Sequence, residues 1–181
     1  MSKYHIIQIL ITIAILFHNC NDVEETAIYS TEITSQTTEL AGSMTGTLLA
    51  GGTYRVTADL IIPPNGEIVL EEGVTLLIDV PKLAPQIRII NHGTFISRGT
   101  IANPNRITVA ENLQNQRHQS TQLWGGIQCS EKAKNITIKW TTIEHSAGNT
   151  NAKNAPEGRL VNGIWVQNDD TKIIIKHSEI F

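Results

Sequence analysis

Aromatic residues, cysteines and excess positive charge are all scarce in this chain, and each scarcity excludes a class of protein. Aromatic side chains make up 5% of the 181 residues, too few for a platform that stacks single-stranded nucleic acid. The 14 basic side chains are outnumbered by 17 acidic ones, for a net charge of -3, so nucleic acid is not an expected partner. The two cysteines, Cys20 and Cys129, are too few for a disulfide framework.

Motifs for metals and cofactors are also missing from the sequence. The 6 histidines show no zinc spacing, and no cysteine cluster accompanies them. The pairs Gly51-Gly52 and Gly125-Gly126 lack the Lys-Ser/Thr of a phosphate-binding loop and are interpreted as tight bends. We therefore expect no metal and no cofactor, and we assign no catalytic residue.

The N-terminus carries the first positive signal, an apolar run at residues 6–17 that follows Lys3. Its length suits the core of a signal peptide and falls short of the roughly 20 residues that a membrane span needs. Cys20 follows the run almost at once, and no small-x-small cleavage site lies nearby. The arrangement resembles a bacterial lipoprotein signal, which implies a signal peptide over residues 1–19 and diacylation of Cys20. Because Asn19 stands where that signal usually has a small residue, an ordinary signal peptide is the alternative.

The residues behind the cysteine indicate where the protein is delivered. The acidic stretch Asn21–Glu25 looks like the surface-export tags of Bacteroidetes lipoproteins, and a solvated linker is the alternative. Residues 26–46 are rich in Thr, Ser, Glu and Gln without a sustained apolar period, so residues 20–47 are predicted to form a flexible tether. We expect a lipid anchor in the outer membrane, with the body at the cell surface. A periplasmic or secreted location is the alternative.

From residue 48 onward, short runs of β-branched residues alternate with turn signals. The run Tyr54–Ile62 meets Pro63-Pro64, and later runs end in Gly, Asn or Asp. No segment outside the leader shows a capped helical period. The polar stretches Glu111–Gln122 and Ala147–Leu160 are interpreted as excursion loops.

An internal repeat organises this body. The segment Gly126–Ile143 aligns with Gly163–Ile180 at a constant offset of 37 residues and without a gap. A fixed offset of this size is typical of a stacked array, and the matches fall on the alternating positions that a strand buries. The residues that recur are Gly126, Ile127, Ile136, Ile138, Lys139 and Ile143, as Gly163, Ile164, Ile173, Ile175, Lys176 and Ile180.

The runs Ile62–Leu76, Asn91–Thr100, Trp124–Ile127 and Asn135–His145 resemble the coils of right-handed parallel β-helix proteins, among which are pectate lyases. This resemblance implies an all-β solenoid over residues 48–181. The sequence ends inside a repeat without a polar cap, so we expect further coils beyond Phe181 and a tendency towards end-to-end self-association.

Three features of the body are candidates for chemistry. Cys129 occupies the position that Val166 fills one repeat later, which favours a core side chain over a reactive thiol. Glu144 and His145 are neighbours on a predicted strand and would point to opposite faces, so they do not form an acid–base pair. Asp169-Asp170 resembles the paired acids that hold calcium in pectate lyases, but a turn is favoured because no further acidic cluster aligns with it.

Two functions fit these features. The first is a cell-surface lipoprotein with a binding or structural role, towards extracellular glycans or proteins, anchored to the membrane by its lipid. The second is a polysaccharide lyase or hydrolase, with catalytic coils outside this span. The sequence aligns no convergent acid and base on successive coils of one face, so activity within residues 48–181 is not expected.

The leader predicts lipidation at Cys20. Labelled fatty acid fed to expressing cells should enter the protein and be absent from a Cys20→Ala variant, because the variant lacks the thiol that is acylated. Two acyl chains on this residue would give stable anchoring. The measurement is autoradiography of the purified protein, with Cys129→Ala as the control that keeps its label. Equal labelling of the wild type and Cys20→Ala would contradict the prediction.

Overall fold

A computed structural model describes residues 30–80, 86–114, 123–146, 159–161, 163–168 and 170–180. Within these ranges the chain consists of short β-strands and one helical turn, α1 (Glu111–Gln114). β-Branched residues recur in the strands because they fit a pleated, half-buried surface. The strands are β1 (Thr31–Ile33), β2 (Glu39–Leu48), β3 (Thr53–Ile62), β4 (Glu67–Leu70), β5 (Thr75–Ile78), β6 (Ile89–Asn91), β7 (Thr94–Arg98), β8 (Asn105–Val109), β9 (Ile127–Cys129), β10 (Asn135–Lys139), β11 (Thr141–Ile143), β12 (Arg159–Val161), β13 (Ile164–Val166), β14 (Lys172–Lys176) and β15 (Glu179–Ile180).

The strands stack into three parallel ladders, which we call ladders A, B and C. Ladder A contains the end of β3, then β6, β9 and β13. Ladder B contains the end of β2, then β4, β7, β10 and β14. Ladder C contains the start of β3, then β5, β8, β11 and β15. The chain passes through C, A and B in that order in successive coils, which makes the fold the parallel β-helix that the sequence predicts.

Inward side chains from the three ladders fill the interior as vertical columns. Residues paired in register lie one above the other at roughly 4.8 Å, so each apolar side chain packs on its counterpart in the next coil. The residues that alternate with them face outwards and include polar side chains, such as Gln128, as well as half-buried apolar ones, such as Ile90 and Ile96. The columns include Leu60, Ile89, Ile127 and Ile164 in ladder A, Ile68, Phe95 and Ile136 in ladder B, and Tyr54, Leu76, Ile107 and Ile143 in ladder C.

The strand register confirms the 37-residue repeat. Ile127 pairs with Ile164, Ile136 with Ile173 and Ile143 with Ile180, each at that offset. The repeated glycine has a conformational cause, because Gly126 and Gly163 have φ angles of 74° and 76°, in the left-handed region that favours glycine. The sequence repeat therefore corresponds to one coil of the solenoid.

Residues 30–47 differ from the tether predicted over residues 20–47. They contain β1 and most of β2, and β2 pairs with β3 and β4 as part of the solenoid. The reason is that β2 bends from ladder to ladder, so its buried residues Leu40, Met44 and Leu48 recur every fourth position. A search for a period of two misses such a strand. Residues 20–29 of the predicted tether, and the leader, lie outside the described residues.

The two predicted excursion loops are described in part. Helix α1 forms one turn at the start of Glu111–Gln122 and has no buried residue, although Leu113 packs partly against the core. In Ala147–Leu160, residues 147–158 lie outside the described ranges. The following strand, β12, pairs antiparallel with β13, whereas the other strand pairs of the described chain are parallel.

Stability should depend on the inward columns. Ile107→Ala should lower the free energy of unfolding by about 2–5 kcal/mol, because Ile107 is fully buried and its truncation leaves a cavity. The matched control is Ile101→Ala, at an isoleucine that is 78% exposed, where a change within about 0.5 kcal/mol is expected. Urea denaturation of the full chain measures the free energy of unfolding of both variants. An equal decrease in the two would contradict the position of Ile107 in an inward column.

Candidate functional site

The turns that lead from ladder A to ladder B in successive coils form an open cleft on the outside of the solenoid. Its volume is about 330 Å³. Because these turns stack, side chains more than 30 residues apart in the sequence line the same surface. The cleft is lined by Pro64, His92, Ser130, Glu131, Lys132 and Gln167.

A buried asparagine fixes the turn that presents His92. Asn91 ends β6 and is fully buried; its side-chain Nδ2 donates to the Asn135 carbonyl at 3.0 Å, and its Oδ1 accepts from Gly93 N at 3.0 Å. A Cβ at Gly93 would collide with the carbonyl oxygens of Gly66 and Pro63, in the turn one coil before. The turn is thus closely packed from both sides, which holds the His92 backbone in one place.

His92 and Ser130 meet across one coil of the cleft. His92 Nδ1 lies 2.7 Å from Ser130 Oγ, within hydrogen-bond distance. Ser130 Oγ also accepts from Lys132 N at 3.2 Å, which holds the turn after β9. Burial and the positive charge of Lys132 both lower the pKa of His92, with burial the larger cause. The lowered pKa favours the neutral imidazole, which can act as a hydrogen-bond acceptor or a proton acceptor.

Glu131 and Gln167 form the opposite part of the cleft. Gln167 Nε2 donates to Glu131 Oε1 at 2.9 Å, and Asn168 Nδ2 donates to the Glu131 carbonyl at 2.9 Å. These bonds join two consecutive coils and orient the carboxylate and the carboxamide. Together with His92 and Lys132, they place donors and acceptors from three consecutive coils around one volume.

Cys129 lies in the core, as the sequence predicts. It is fully buried and free, and it pairs in register with Val166. Burial raises the pKa of its thiol to about 11, although a hydrogen bond from Asn91 opposes the shift. The thiol is therefore protonated at neutral pH and is not a nucleophile.

Glu144 is held in an ion pair. Its Oε2 lies 2.7 Å from an Arg106 guanidinium nitrogen, and Arg106 also donates to Gln114 Oε1 at 3.1 Å. The His145 carbonyl accepts a hydrogen bond from Leu123 N. These contacts give both residues roles in joining strand β11 to the neighbouring loops.

The remaining sequence candidates fall partly outside the structure. Cys20 and Asp169 both lie outside the described residues. Asp170 is exposed, and its backbone N–H donates to Asn168 Oδ1 at 2.9 Å, which is a turn contact. In the ranges that the structure describes, no group of three or more His, Cys, Asp or Glu residues is placed to hold a metal ion.

The cleft residues were not identified from the sequence, although a signal for them exists. Asn91 pairs with Cys129 at an offset of 38, and Cys129 pairs with Val166 at 37. Extending the repeat back by one coil with one inserted residue would have aligned His92 with Ser130 and Gln167. The inserted residue conceals this match from a search without gaps.

Comparison with protein-family models, with curated protein sequences and with solved structures finds no match to this chain. Function has to be inferred from the site, because a fold of this kind carries many functions. Among the described residues, α1 is a single turn, and no helix has the length and apolar character required for a membrane crossing.

The state of Cys129 predicts low reactivity. In a Cys20→Ala chain, where Cys129 is the one remaining thiol, alkylation by iodoacetamide at pH 8 should be about a hundredfold slower than in urea, because the pKa is raised from 9.0 to about 11. Mass spectrometry over time measures the rate. Similar rates in the folded and the unfolded chain would contradict the buried position.

Proposed function

We propose that this protein is an exported lipoprotein, anchored through Cys20 to the outer membrane, whose β-helix binds a glycan at the cell surface. The leader and the acidic residues behind Cys20 support the location. The body is a rigid array of coils, and its ladder A to ladder B turns supply the binding groups. Binding is favoured over a purely structural role because polar side chains converge on one concave surface.

The observation that carries the proposal is the convergence of His92, Ser130, Glu131, Lys132 and Gln167 from three consecutive coils. A sugar hydroxyl both donates and accepts hydrogen bonds, and this set offers a neutral imidazole, a carboxylate, a carboxamide and an ammonium group. The Glu131–Gln167 bond orients two of these groups in advance, which reduces the entropy lost on binding.

Trp165 adds an apolar surface near this set. It lies on β13 at the half-buried, outward position, two residues before Gln167. In ladder A it continues an outward column that contains Ile90 and Gln128. Sugar rings have apolar C–H faces, which pack favourably on aromatic rings. A polysaccharide is therefore a better match than a small inorganic anion.

Affinity electrophoresis of the full chain in detergent tests the proposal. Xylan, mannan, dextran and polygalacturonate are the probes, and at least one should retard the protein. Gln167→Ala should weaken binding of that probe about fivefold, the effect of losing one hydrogen bond. The matched control is Gln36→Ala, which removes an exposed glutamine from the turn after β1 and should leave binding unchanged. Equal binding by both variants, or no retardation by any probe, would contradict the proposal.

Catalysis is the second candidate, and one observation favours it. His92 is a neutral base, and the Lys132 ammonium group lies close enough to lower its pKa. A base beside a cation suits β-elimination from a uronic acid: the base removes the C5 proton, the cation neutralises the carboxylate, and the C4–O bond breaks to leave a C4=C5 double bond while the departing oxygen takes up a proton from water. Glu131 is the one carboxylate that lines the cleft in the described residues, whereas glycoside hydrolysis typically uses two.

Absorbance of the unsaturated sugar product distinguishes catalysis from binding. If the protein only binds, polygalacturonate incubated with the full chain gives no such product. Turnover that disappears in His92→Gln and persists in His145→Gln would mean that the protein is a lyase and not only a binding protein. Both variants remove one imidazole, so the comparison isolates the position of the base.

A further inference from the structure

The cleft contains a serine and a histidine in direct contact. His92 Nδ1 lies 2.7 Å from Ser130 Oγ, and both side chains line the open volume of about 330 Å³. Both residues are half-buried, so they are held in their turns and still face the cleft. A hydroxyl within hydrogen-bond reach of a base is the arrangement that serine-dependent acyl transfer uses. We call these two residues the Ser–His dyad.

The hydrogen bonds around Ser130 leave its hydroxyl proton available to His92. Lys132 N donates to Ser130 Oγ at 3.2 Å, so the oxygen acts as an acceptor on that side. A serine hydroxyl has one proton to donate, and His92 Nδ1 is within reach of it. Burial and the charge of Lys132 lower the pKa of His92, which favours the imidazole with a free lone pair. The contact therefore favours donation from Ser130 Oγ to His92 Nδ1.

Backbone contacts hold the two members of the dyad in position. Ser130 N donates to the carbonyl of Asn91, the residue before His92, at 3.0 Å, so the two turns are bonded directly to each other. Ala133 N donates to the Ser130 carbonyl at 3.0 Å and closes the turn on the other side. A nucleophile and a base that are fixed before the substrate arrives lose less entropy in the reaction.

Two groups beside Ser130 can stabilise negative charge on an acyl oxygen. The backbone N–H of Glu131 follows the serine directly and makes no hydrogen bond within the described residues. The Lys132 ammonium group lines the same cleft. The Glu131 carboxylate, which would oppose such a charge, accepts a hydrogen bond from Gln167 Nε2. A backbone N–H and a cation are the kinds of group that stabilise a tetrahedral oxyanion.

We infer that the Ser–His dyad hydrolyses short-chain carboxylic esters in the cleft. Ser130 Oγ bonds to the acyl carbon while its proton passes to His92 Nδ1. The bond from the acyl carbon to the alcohol oxygen then breaks, and that oxygen leaves with the proton from His92. Water attacks the acyl-serine with His92 as the base, which releases the carboxylic acid and returns the proton to Ser130. The net reaction consumes one ester and one water, and it yields one acid and one alcohol.

The lining of the cleft and the surroundings of His92 indicate the substrate class. Pro64 is the one apolar residue among the described lining residues, so a long acyl chain has no apolar channel to occupy. Within the same part of the chain, no carboxylate is hydrogen-bonded to the His92 ring, so the third group of a triad is missing. A small ester is therefore favoured over an amide, whose amine is a poorer leaving group. This activity goes beyond glycan binding, since an ester without a sugar suffices as substrate.

Hydrolysis of p-nitrophenyl acetate by the full chain in detergent tests the inference, with absorbance of the released phenol as the measurement. Ser130→Ala and His92→Gln should each lower the rate about a hundredfold, because each removes one half of the dyad. The matched controls are Ser178→Ala and His145→Gln, which should react as the wild type does. Ser178 is also a half-buried turn serine, and its Oγ donates to the Lys176 carbonyl at 2.9 Å. Circular dichroism checks that each variant is folded.

A fluorophosphonate probe identifies the nucleophile itself. The serine oxygen bonds to phosphorus, fluoride leaves, and the hydroxyl proton passes to the base. Peptide mass spectrometry should find the label on Ser130 in the wild type and in Ser178→Ala. The label should be absent in His92→Gln, although that variant keeps the serine.

A thiol at position 130 reports on the base without any turnover. In a Cys20→Ala chain, Ser130→Cys should react with iodoacetamide at pH 6 about tenfold faster than Ser130→Cys combined with His92→Gln, because the imidazole takes up the thiol proton. Cys129 contributes little to this rate, since burial raises the pKa of its thiol to about 11.

Three outcomes would overturn the inference. The first is equal hydrolysis by Ser130→Ala and Ser178→Ala, and the second is a fluorophosphonate label that is absent from Ser130. The third is a loss of activity in His92→Gln alone, because the imidazole would then act without the serine. Affinity electrophoresis of the same wild-type preparation separates these results from glycan binding. A polysaccharide that retards a protein without esterase activity would overturn the dyad and leave the proposed function standing.

Discussion

Parallel register between coils is the constraint on which the rest of the structure depends. Each inward side chain must pack on the corresponding side chain of the next coil, and a slip by one residue would turn the apolar columns outwards. Ile89 over Ile127 over Ile164 shows the rule in ladder A. The same register places outward residues in columns and aligns the turns that form the cleft.

The loops between strands can vary in length because the register constrains only the strands. Paired residues of ladder B are separated by 22 residues between Gly46 and Ile68, 27 between Ile68 and Phe95, and 41 between Phe95 and Ile136. The added lengths lie in the connections, while the strands keep their positions. Long polar connections can therefore be inserted without cost to the core, and this makes the outside of a solenoid suited to binding.

This variation explains how much could be predicted from sequence. Ladders A, B and C share a single offset of 37 residues between the last two coils, so Ile127, Ile136 and Ile143 all find their partners 37 residues later, and the fold follows from that match. Earlier coils differ in length, and β2 bends at Gly42 and Gly46, so its buried Leu40 and Met44 show no strand period. The site was missed for the same reason. His92 and Ser130 are 38 residues apart, one more than the repeat of 37 residues, so a search without gaps does not align them. Cys129 was identified correctly because it lies inside the gap-free repeat, where its alignment with Val166 marks an inward position.

The antiparallel strand β12 has a consequence for growth of the array. A parallel ladder normally offers its last strand as a template on which an identical strand, from the same chain or another molecule, can nucleate. In ladder A that template is β13, and Arg159–Val161 occupies it with the opposite chain direction. An incoming copy of the same coil would find its hydrogen-bonding partners in ladder A already taken and reversed in polarity. In ladder A, β12 therefore occupies the edge of β13 that an added parallel strand would need, and parallel addition has to displace β12 first.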